Sequence, residues 1–200
     1  DSPLVVLGKL WHPCSSDRCR RDHGSVTRST ASMRGPEASV DSITDTITGL
    51  PDGRVFKVML DRKVALARRT LKPVSIIYFN LDDFDSFAPY IREHATRVTS
   101  RVITNTLRES DTVCGLGGGV LVALLDDTSE SGAVWAANRI RQSSAEAPSR
   151  DVVSLSAGVS CYPTHAMDAE DLITAARAAC ERALSHVPGR IQVAAGVESF

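Results

Sequence analysis

Two groups of polar side chains in this sequence have the residue types that bind metal ions. The first is His12, Cys14, Cys19 and His23, whose imidazole and thiol groups suit zinc. Their spacing matches no standard zinc finger, and a polar segment with incidental ligand types accounts for them more simply. We therefore predict no zinc site in this segment.

The second group is acidic and follows a short β-branched and aromatic run. Asp82, Asp83 and Asp85 come just after Asn80, and Asn80 and Asp82 share one face of a strand. Oxygen ligands suit hard cations such as Mg²⁺, so a metal site is one interpretation. We favour the other, a solvated acidic strand end, because carboxylates are seldom buried.

The composition excludes several classes of function. Lys and Arg number 23 against 24 Asp and Glu, a net charge of −1, which argues against a broad nucleic-acid surface or a polybasic membrane anchor. No apolar run approaches the ~20 residues of a membrane helix, and no signal-peptide pattern opens the chain. Five scattered cysteines without a C-x-x-C pair indicate a reducing compartment. We therefore expect a cytoplasmic domain with no nucleic-acid partner.

Residues 1–40 differ in composition from the rest of the chain. A short apolar opening is followed by arginines mixed with Ser, Thr and Gly, without helical or strand periodicity. We interpret this segment as a linker or as the end of an upstream element. Because the chain opens at Asp1 instead of Met, we expect a larger protein, free or membrane-tethered, with flanking domains.

From residue 41 onward, the spacing of apolar residues predicts alternating helices and strands. The predicted elements are helix 55–71, strand 74–79, helix 92–107, a hairpin of strands 112–114 and 120–125, helix 131–144, strand 152–160, helix 169–185 and strand 191–194. This order predicts an α/β fold, a ferredoxin-like sandwich whose mostly antiparallel central sheet is flanked by helices. The hairpin makes a doubly wound parallel sheet a poorer fit.

Five segments carry a family resemblance, in the right order. They are Asp45–Arg54 (DTITGLPDGR), Ile76–Phe84 (IIYFNLDDF), Gly117–Leu121 (GGGVL), Ser154–Val159 (SLSAGV) and Ala176–Leu184 (ARAACERAL). Together they resemble GGDEF domains, the diguanylate cyclases, over roughly residues 41–193. The resemblance implies the nucleotide-cyclase type of α/β sandwich, with a domain at 41–195 and a tail at 196–200.

The resemblance also implies that catalysis has been lost. In the family two GTP molecules condense with two cations that carboxylates hold. The first metal carboxylate corresponds to Asn80, and the acidic pair that follows Gly117 and Gly118 corresponds to Gly119 and Val120. The family's guanine-reading Asn falls near Ala88, and its phosphate-binding Lys corresponds to Leu184. We therefore expect a degenerate active site, no enzyme activity, no cofactor and no Mg²⁺ requirement.

One family motif is intact, the R-x-x-D at which the family binds its inhibitor, cyclic di-GMP. Arg108 and Asp111 form it, with five residues between Asp111 and Gly117, and Arg139 stands twenty-two positions beyond Gly117, where the family has a third ligand. A guanidinium can donate two hydrogen bonds to guanine O6 and N7, and a carboxylate can accept from N1–H and N2–H₂. The alternative without a ligand is that Arg108, Glu109, Asp111 and Arg139 form surface salt bridges with one another.

Three functional hypotheses follow from these residues. The preferred one is a non-catalytic receptor that binds cyclic di-GMP through Arg108, Asp111 and Arg139 and signals by homodimerisation or by contact with a flanking domain or downstream protein. The second is an interaction or dimerisation module without nucleotide binding. The third is a residual cyclase or a GTP sensor. Catalysis is disfavoured because Val120 can neither ligate a metal nor assist in removing a proton. GTP sensing is disfavoured by Ala88 and Leu184, although the glycine turn leaves it open.

Overall fold

The structure is a computed structural model that describes residues 43–146, 154–185 and 188–196. The predicted linker at 1–40, including the zinc-type cluster of His12, Cys14, Cys19 and His23, lies outside the described residues. So does the predicted tail, apart from Gly196. None of the described helices combines the length and the apolar character that a bilayer crossing requires.

The predicted helices and strands are all present, with bounds that shift by a few residues. They are α1 (Gly53–Thr70), β1 (Val74–Leu81), a 3-10 turn (Phe84–Ser86), α2 (Pro89–Thr106), β2 (Thr112–Gly117), β3 (Val120–Asp126), α3 (Glu130–Ala145), β4 (Leu155–Tyr162), α4 (Ala169–Leu184) and β5 (Ile191–Val193).

The described strands form one mixed five-stranded sheet in the order β2-β3-β1-β4-β5. β1 pairs antiparallel with β3 and with β4, and β2 pairs antiparallel with β3. Only the short β5 runs parallel to its neighbour, β4. The predicted α/β sandwich with a mostly antiparallel central sheet is therefore confirmed.

Helices cover both faces of the sheet because alternate residues of β1 point to opposite sides. Ile77 and Phe79 belong to a core that includes α2 and α3, whereas Ile76 belongs to a second core with α1 and α4. Asn80 has the same parity as Ile76, so its side chain belongs to the α1 and α4 face. The R-x-x-D turn and the glycine turn are separated by the length of β2, which begins directly after Asp111 and ends at Gly117.

Local signals explain why the first helix begins and ends where it does. The Asp52 carboxylate accepts hydrogen bonds from the backbone N–H groups of Arg54 (2.9 Å) and Val55 (3.1 Å), which are unpaired donors at a helix start. The helix stops at Leu71, which adopts a left-handed conformation with φ 56°. Its inward face packs on the sheet with Phe56 and Leu60.

Candidate nucleotide-binding site

The R-x-x-D segment forms a tight turn between α2 and β2. The backbone N–H of Asp111 donates to the carbonyl of Arg108 (3.0 Å), and the N–H of Arg108 donates to Oδ2 of Asp111 (3.0 Å). The other carboxylate oxygen, Oδ1, accepts from the N–H of Asp126 (3.3 Å) at the end of β3. Since β3 leads directly into α3, this bond holds the turn beside α3.

A groove of about 270 Å³ lies between this turn and the first half of α3. Arg108, Asp111 and Arg139, the three residues predicted to bind the ligand, all line it, together with Trp135. The convergence follows from the fold, because Arg108 and Asp111 come from the turn and Arg139 comes from the third turn of α3. The structure therefore brings the three predicted residues to one concave surface.

Neither arginine of the groove has an ion pair among the residues that the structure describes. Within residues 43–146, 154–185 and 188–196, no ion pair joins Arg108, Glu109, Asp111 and Arg139 to one another. The alternative that these side chains form salt bridges with one another therefore does not describe the structure. Two unpaired guanidinium groups facing one groove favour an anionic ligand.

Trp135 is a residue of this groove that the sequence reasoning missed. Its side chain is 64% exposed, although the neighbouring α3 residues Ala133 and Ala137 are fully buried. The guanidinium carbon of Arg139, one helical turn further on, lies 5.4 Å from the centre of the indole ring, a cation–π contact. The i, i+4 spacing of Trp and Arg on a predicted helix was the signal that could have found it.

The glycine turn between β2 and β3 has a backbone that depends on glycine. Gly117, Gly118 and Gly119 all have positive φ angles, of 78°, 60° and 78°. A Cβ built on Gly119 would lie 2.5 Å from Cδ2 of the Phe84 ring. The turn therefore lacks a carboxylate at this position, and its conformation also leaves no space for one.

The two other positions matched to catalytic carboxylates lie side by side in the sheet. Asn80 of β1 is directly opposite Val120 of β3 and, on its other side, opposite Ser156 of β4. None of these three side chains carries a charge. Among the described residues, no group of three or more His, Cys, Asp or Glu side chains is placed to hold a metal ion.

The prediction of a solvated acidic strand end is wrong for Asp82. This residue is only 3% exposed, and its Oδ2 accepts hydrogen bonds from Ser154 Oγ (2.7 Å) and from the backbone N–H of Gly189 (2.7 Å). These donors compensate the loss of water at Oδ2, whereas the buried Oδ1 has no hydrogen-bond partner among the described residues. Asp83 and Asp85 are exposed, as predicted. Asp82 therefore joins the starts of β4 and β5 to the end of β1.

Comparison with known proteins gives one consistent family. The family described as "Diguanylate cyclase, GGDEF domain" matches residues 42–188. Response regulator PleD of Caulobacter vibrioides is 31% identical over 104 residues, which are 50% of this chain and 23% of that protein. Cyclic di-GMP phosphodiesterase NbdA of Pseudomonas aeruginosa is 27% identical over 137 residues, 64% of this chain and 18% of that protein. The chain thus spans about a fifth of the length of these relatives.

Solved structures agree with this match. The isolated GGDEF domain of YfiN (TpbB) from Pseudomonas aeruginosa superposes with a TM-score of 0.72 at 26% identity, covering 76% of this chain and 94% of that domain. The GGDEF domain of DgcB from Caulobacter crescentus, solved in complex with c-di-GMP, superposes with a TM-score of 0.69 at 17% identity, covering 76% of this chain and 96% of that one. The second likeness concerns the fold alone.

Proposed function

This chain belongs to the diguanylate cyclase GGDEF-domain family, and from that premise we propose that it is a receptor for cyclic di-GMP without cyclase activity. The observation that carries the proposal is the groove of Arg108, Asp111 and Arg139, in which both guanidinium groups lack an ion pair among the described residues. Cyclic di-GMP offers two phosphates and two guanine bases, and the groove offers cations and a fixed carboxylate that complement both.

The proposed absence of catalysis rests on the residues at the matched positions. The family's reaction needs two cations held by carboxylates, but Asn80, Gly119 and Val120 supply only one neutral amide oxygen among them. The nearest acidic residue in sequence, Asp82, is buried, and its Oδ2 is already bonded to Ser154 and Gly189. The residues at these positions therefore do not fit the metal pair.

The binding mode that we propose uses the edges of one guanine. The planar fork of Arg108 donates to O6 and N7, and Asp111 accepts from N1–H and N2–H₂, which adenine does not offer in this arrangement. The two backbone bonds to Asp111 leave a lone pair on each oxygen, since a carboxylate accepts about four hydrogen bonds. Arg139 provides a phosphate or second base contact from α3.

Signalling follows from the symmetry of the ligand. A dinucleotide with two equivalent guanines can bridge two copies of one groove, or one groove and a flanking domain, so binding is coupled to association. Two proteins of the same fold have been solved with binding partners: DgcB in complex with c-di-GMP, and the Pseudomonas aeruginosa cyclase SiaD in complex with its activator SiaC. Sedimentation of the chain with and without cyclic di-GMP tests the first of these outcomes, the association of two copies.

The test is a calorimetric titration of cyclic di-GMP into the chain, with sedimentation to follow association. We expect saturable binding that weakens about tenfold or more in Arg108→Ala and in Arg139→Ala, since a bidentate contact contributes ~1–3 kcal/mol. Arg101→Ala is the matched control, because Arg101 is an exposed arginine of α2 that does not line the groove. Absence of binding, or equal affinity in all variants, would contradict the proposal.

Catalytic activity is tested separately. Incubation with GTP and Mg²⁺ or Mn²⁺ should yield no cyclic di-GMP, and a GTP titration should show no saturable heat. Formation of product would instead support the residual-cyclase hypothesis.

The second candidate is an interaction module that binds no nucleotide. Its supporting observation is that Asp111 already bonds the N–H groups of Arg108 and Asp126, which accounts for this carboxylate without any ligand. No contact among the described residues accounts in the same way for the side chain of Arg108. An oligomeric state that is identical with and without cyclic di-GMP would favour this candidate.

A further inference from the structure

Trp135 is placed and exposed in a way that packing does not explain. The buried face of α3 consists of Ala133, Ala137 and Ile140, so the core of the domain is complete without the indole. The indole instead lies on the wall of the groove, 64% exposed. Leaving a large aromatic surface in water costs free energy that a bound ligand would recover.

The neighbours of Trp135 keep the indole accessible from the groove. Gly132 and Ala136, which also line the groove, have no side chain beyond Cβ that could cover the ring. The Arg139 guanidinium lies over the ring at 5.4 Å, yet it leaves most of the side chain exposed. The indole and the guanidinium together form a stacking surface beside the Arg108 and Asp111 turn.

We propose that Trp135 binds cyclic di-GMP by stacking on the face of a guanine whose edge Arg108 and Asp111 contact; this inference rests on the proposed function. Bases stack favourably on aromatic side chains regardless of sequence, because every base has a π face. Trp135 therefore supplies affinity, whereas Arg108 and Asp111 supply the choice of guanine. Arg139 connects the two roles, because it holds the indole while its charge faces the ligand.

The first experiment uses Trp135 as its own reporter. The chain has two tryptophans, so Trp11→Phe leaves Trp135 as the single indole. Titration of cyclic di-GMP into this variant should change the indole emission saturably, with the same midpoint as the calorimetric titration. Trp11→Phe should itself bind as the wild type does.

The second experiment measures what the ring contributes. Trp135→Ala should weaken binding of cyclic di-GMP about fivefold or more, which is the lower end of what base stacking provides. Trp135→Phe should recover a large part of that loss, because a phenyl ring still stacks. Because Trp135 is so exposed, both variants should keep the thermal midpoint of the wild type.

The possible outcomes separate the two proposals. If the wild type does not bind cyclic di-GMP, the proposed function and this inference both fail. If the wild type binds but Trp135→Ala binds within twofold of it and the emission does not change, this inference alone fails. A weaker affinity accompanied by a lowered thermal midpoint, without recovery in Trp135→Phe, would show a structural role and would also overturn it.

Discussion

A Cβ on Gly119 would lie 2.5 Å from Cδ2 of Phe84, closer than carbon atoms approach in real structures. The aromatic ring thus occupies the direction in which a side chain at Gly119 would project. The φ angle of 78° at Gly119 adds backbone strain for any other residue. In this conformation the turn therefore has no room for a side chain at Gly119.

We expect Gly119→Glu to lower the free energy of unfolding by ~1–3 kcal/mol. The left-handed backbone conformation is strained for any residue with a side chain, and the new side chain overpacks against Phe84. Val120→Glu should lower the free energy of unfolding by less, because Val120 is half-buried and does not have a positive φ. Urea denaturation checks both values, and adding Phe84→Ala and Phe84→Ala/Gly119→Glu measures the coupling between Phe84 and Gly119. Wild-type stability in Gly119→Glu would show that the turn accepts a carboxylate.

We also expect that restoring the missing carboxylates does not restore the enzyme. The variant Asn80→Asp/Gly119→Glu/Val120→Glu should form no cyclic di-GMP from GTP and Mg²⁺, because the carboxylate at Gly119 cannot take its position while Phe84 fills the space. A thermal-unfolding scan of the same sample checks that the variant is folded under assay conditions. Measurable product would contradict this account of the turn.

The Asp111 carboxylate has a structural role that the Arg108 guanidinium does not share. Asp111→Ala removes two hydrogen bonds to backbone N–H groups, so the free energy of unfolding should fall by ~1–3 kcal/mol. Arg108→Ala, at an exposed position, should change it by less than ~0.5 kcal/mol. Urea denaturation checks both values. If the free energy of unfolding fell equally in the two variants, or stayed at the wild-type value in both, Asp111 would not have this structural role.

The sequence predicted the fold because its signals are local. Phe56 and Leu60 repeat at the helical period, and the β-branched run at Val74 is a typical buried strand, so each element can be identified without its neighbours. The convergence of Arg108 and Arg139 was also predicted. That prediction came from the family resemblance, because the two arginines have the same spacing from Gly117 as the family's ligands have from its glycine turn. Nothing in the local pattern shows that β3 brings the two arginines together.

The features that the sequence did not reveal depend on distant partners. In the sequence, Asp82 is part of an acidic run that predicts exposure to solvent. In the structure, Ser154 and Gly189, from separate later segments, donate hydrogen bonds to its carboxylate. The Phe84 ring next to Gly119 is likewise a contact between separate segments. Periodicity describes one element at a time, so contacts of this kind are outside what it can predict.

Burial of Asp82 predicts that it contributes far more to the free energy of unfolding than the neighbouring exposed Asp85 does. Asp82→Ala removes charged hydrogen bonds to Ser154 and Gly189, so the free energy of unfolding should fall by ~2–4 kcal/mol. Asp85→Ala is the matched control: its side chain is 99% exposed, and its 3.7 Å ion pair with Arg92 contributes little. Urea denaturation gives both values, and an Asp82→Ala variant as stable as Asp85→Ala would refute the anchoring role.

Two buried thiols predict a loss of stability at alkaline pH. Burial, with a smaller contribution from the Asp52 charge, raises the pKa of Cys114 to about 11, and burial together with the Asp82 charge raises the pKa of Cys180 to about 12. In the unfolded chain both thiols ionise near their ordinary pKa of 9.0. The unfolded state therefore loses protons first, and the free energy of unfolding falls as pH rises from about 9 towards 12.

The measurement is urea denaturation at pH 8 and at pH 10, compared between the wild type and Cys114→Ala/Cys180→Ala. We expect the wild type to lose more stability between these pH values than the double variant, since only the wild type contains the two thiols. At pH 8 the thiols are protonated, so iodoacetamide should modify Cys114 and Cys180 slowly in the folded chain and rapidly in urea. Fast modification of the folded chain at pH 8, or an identical pH dependence in the two proteins, would show that these thiols are not held protonated by burial.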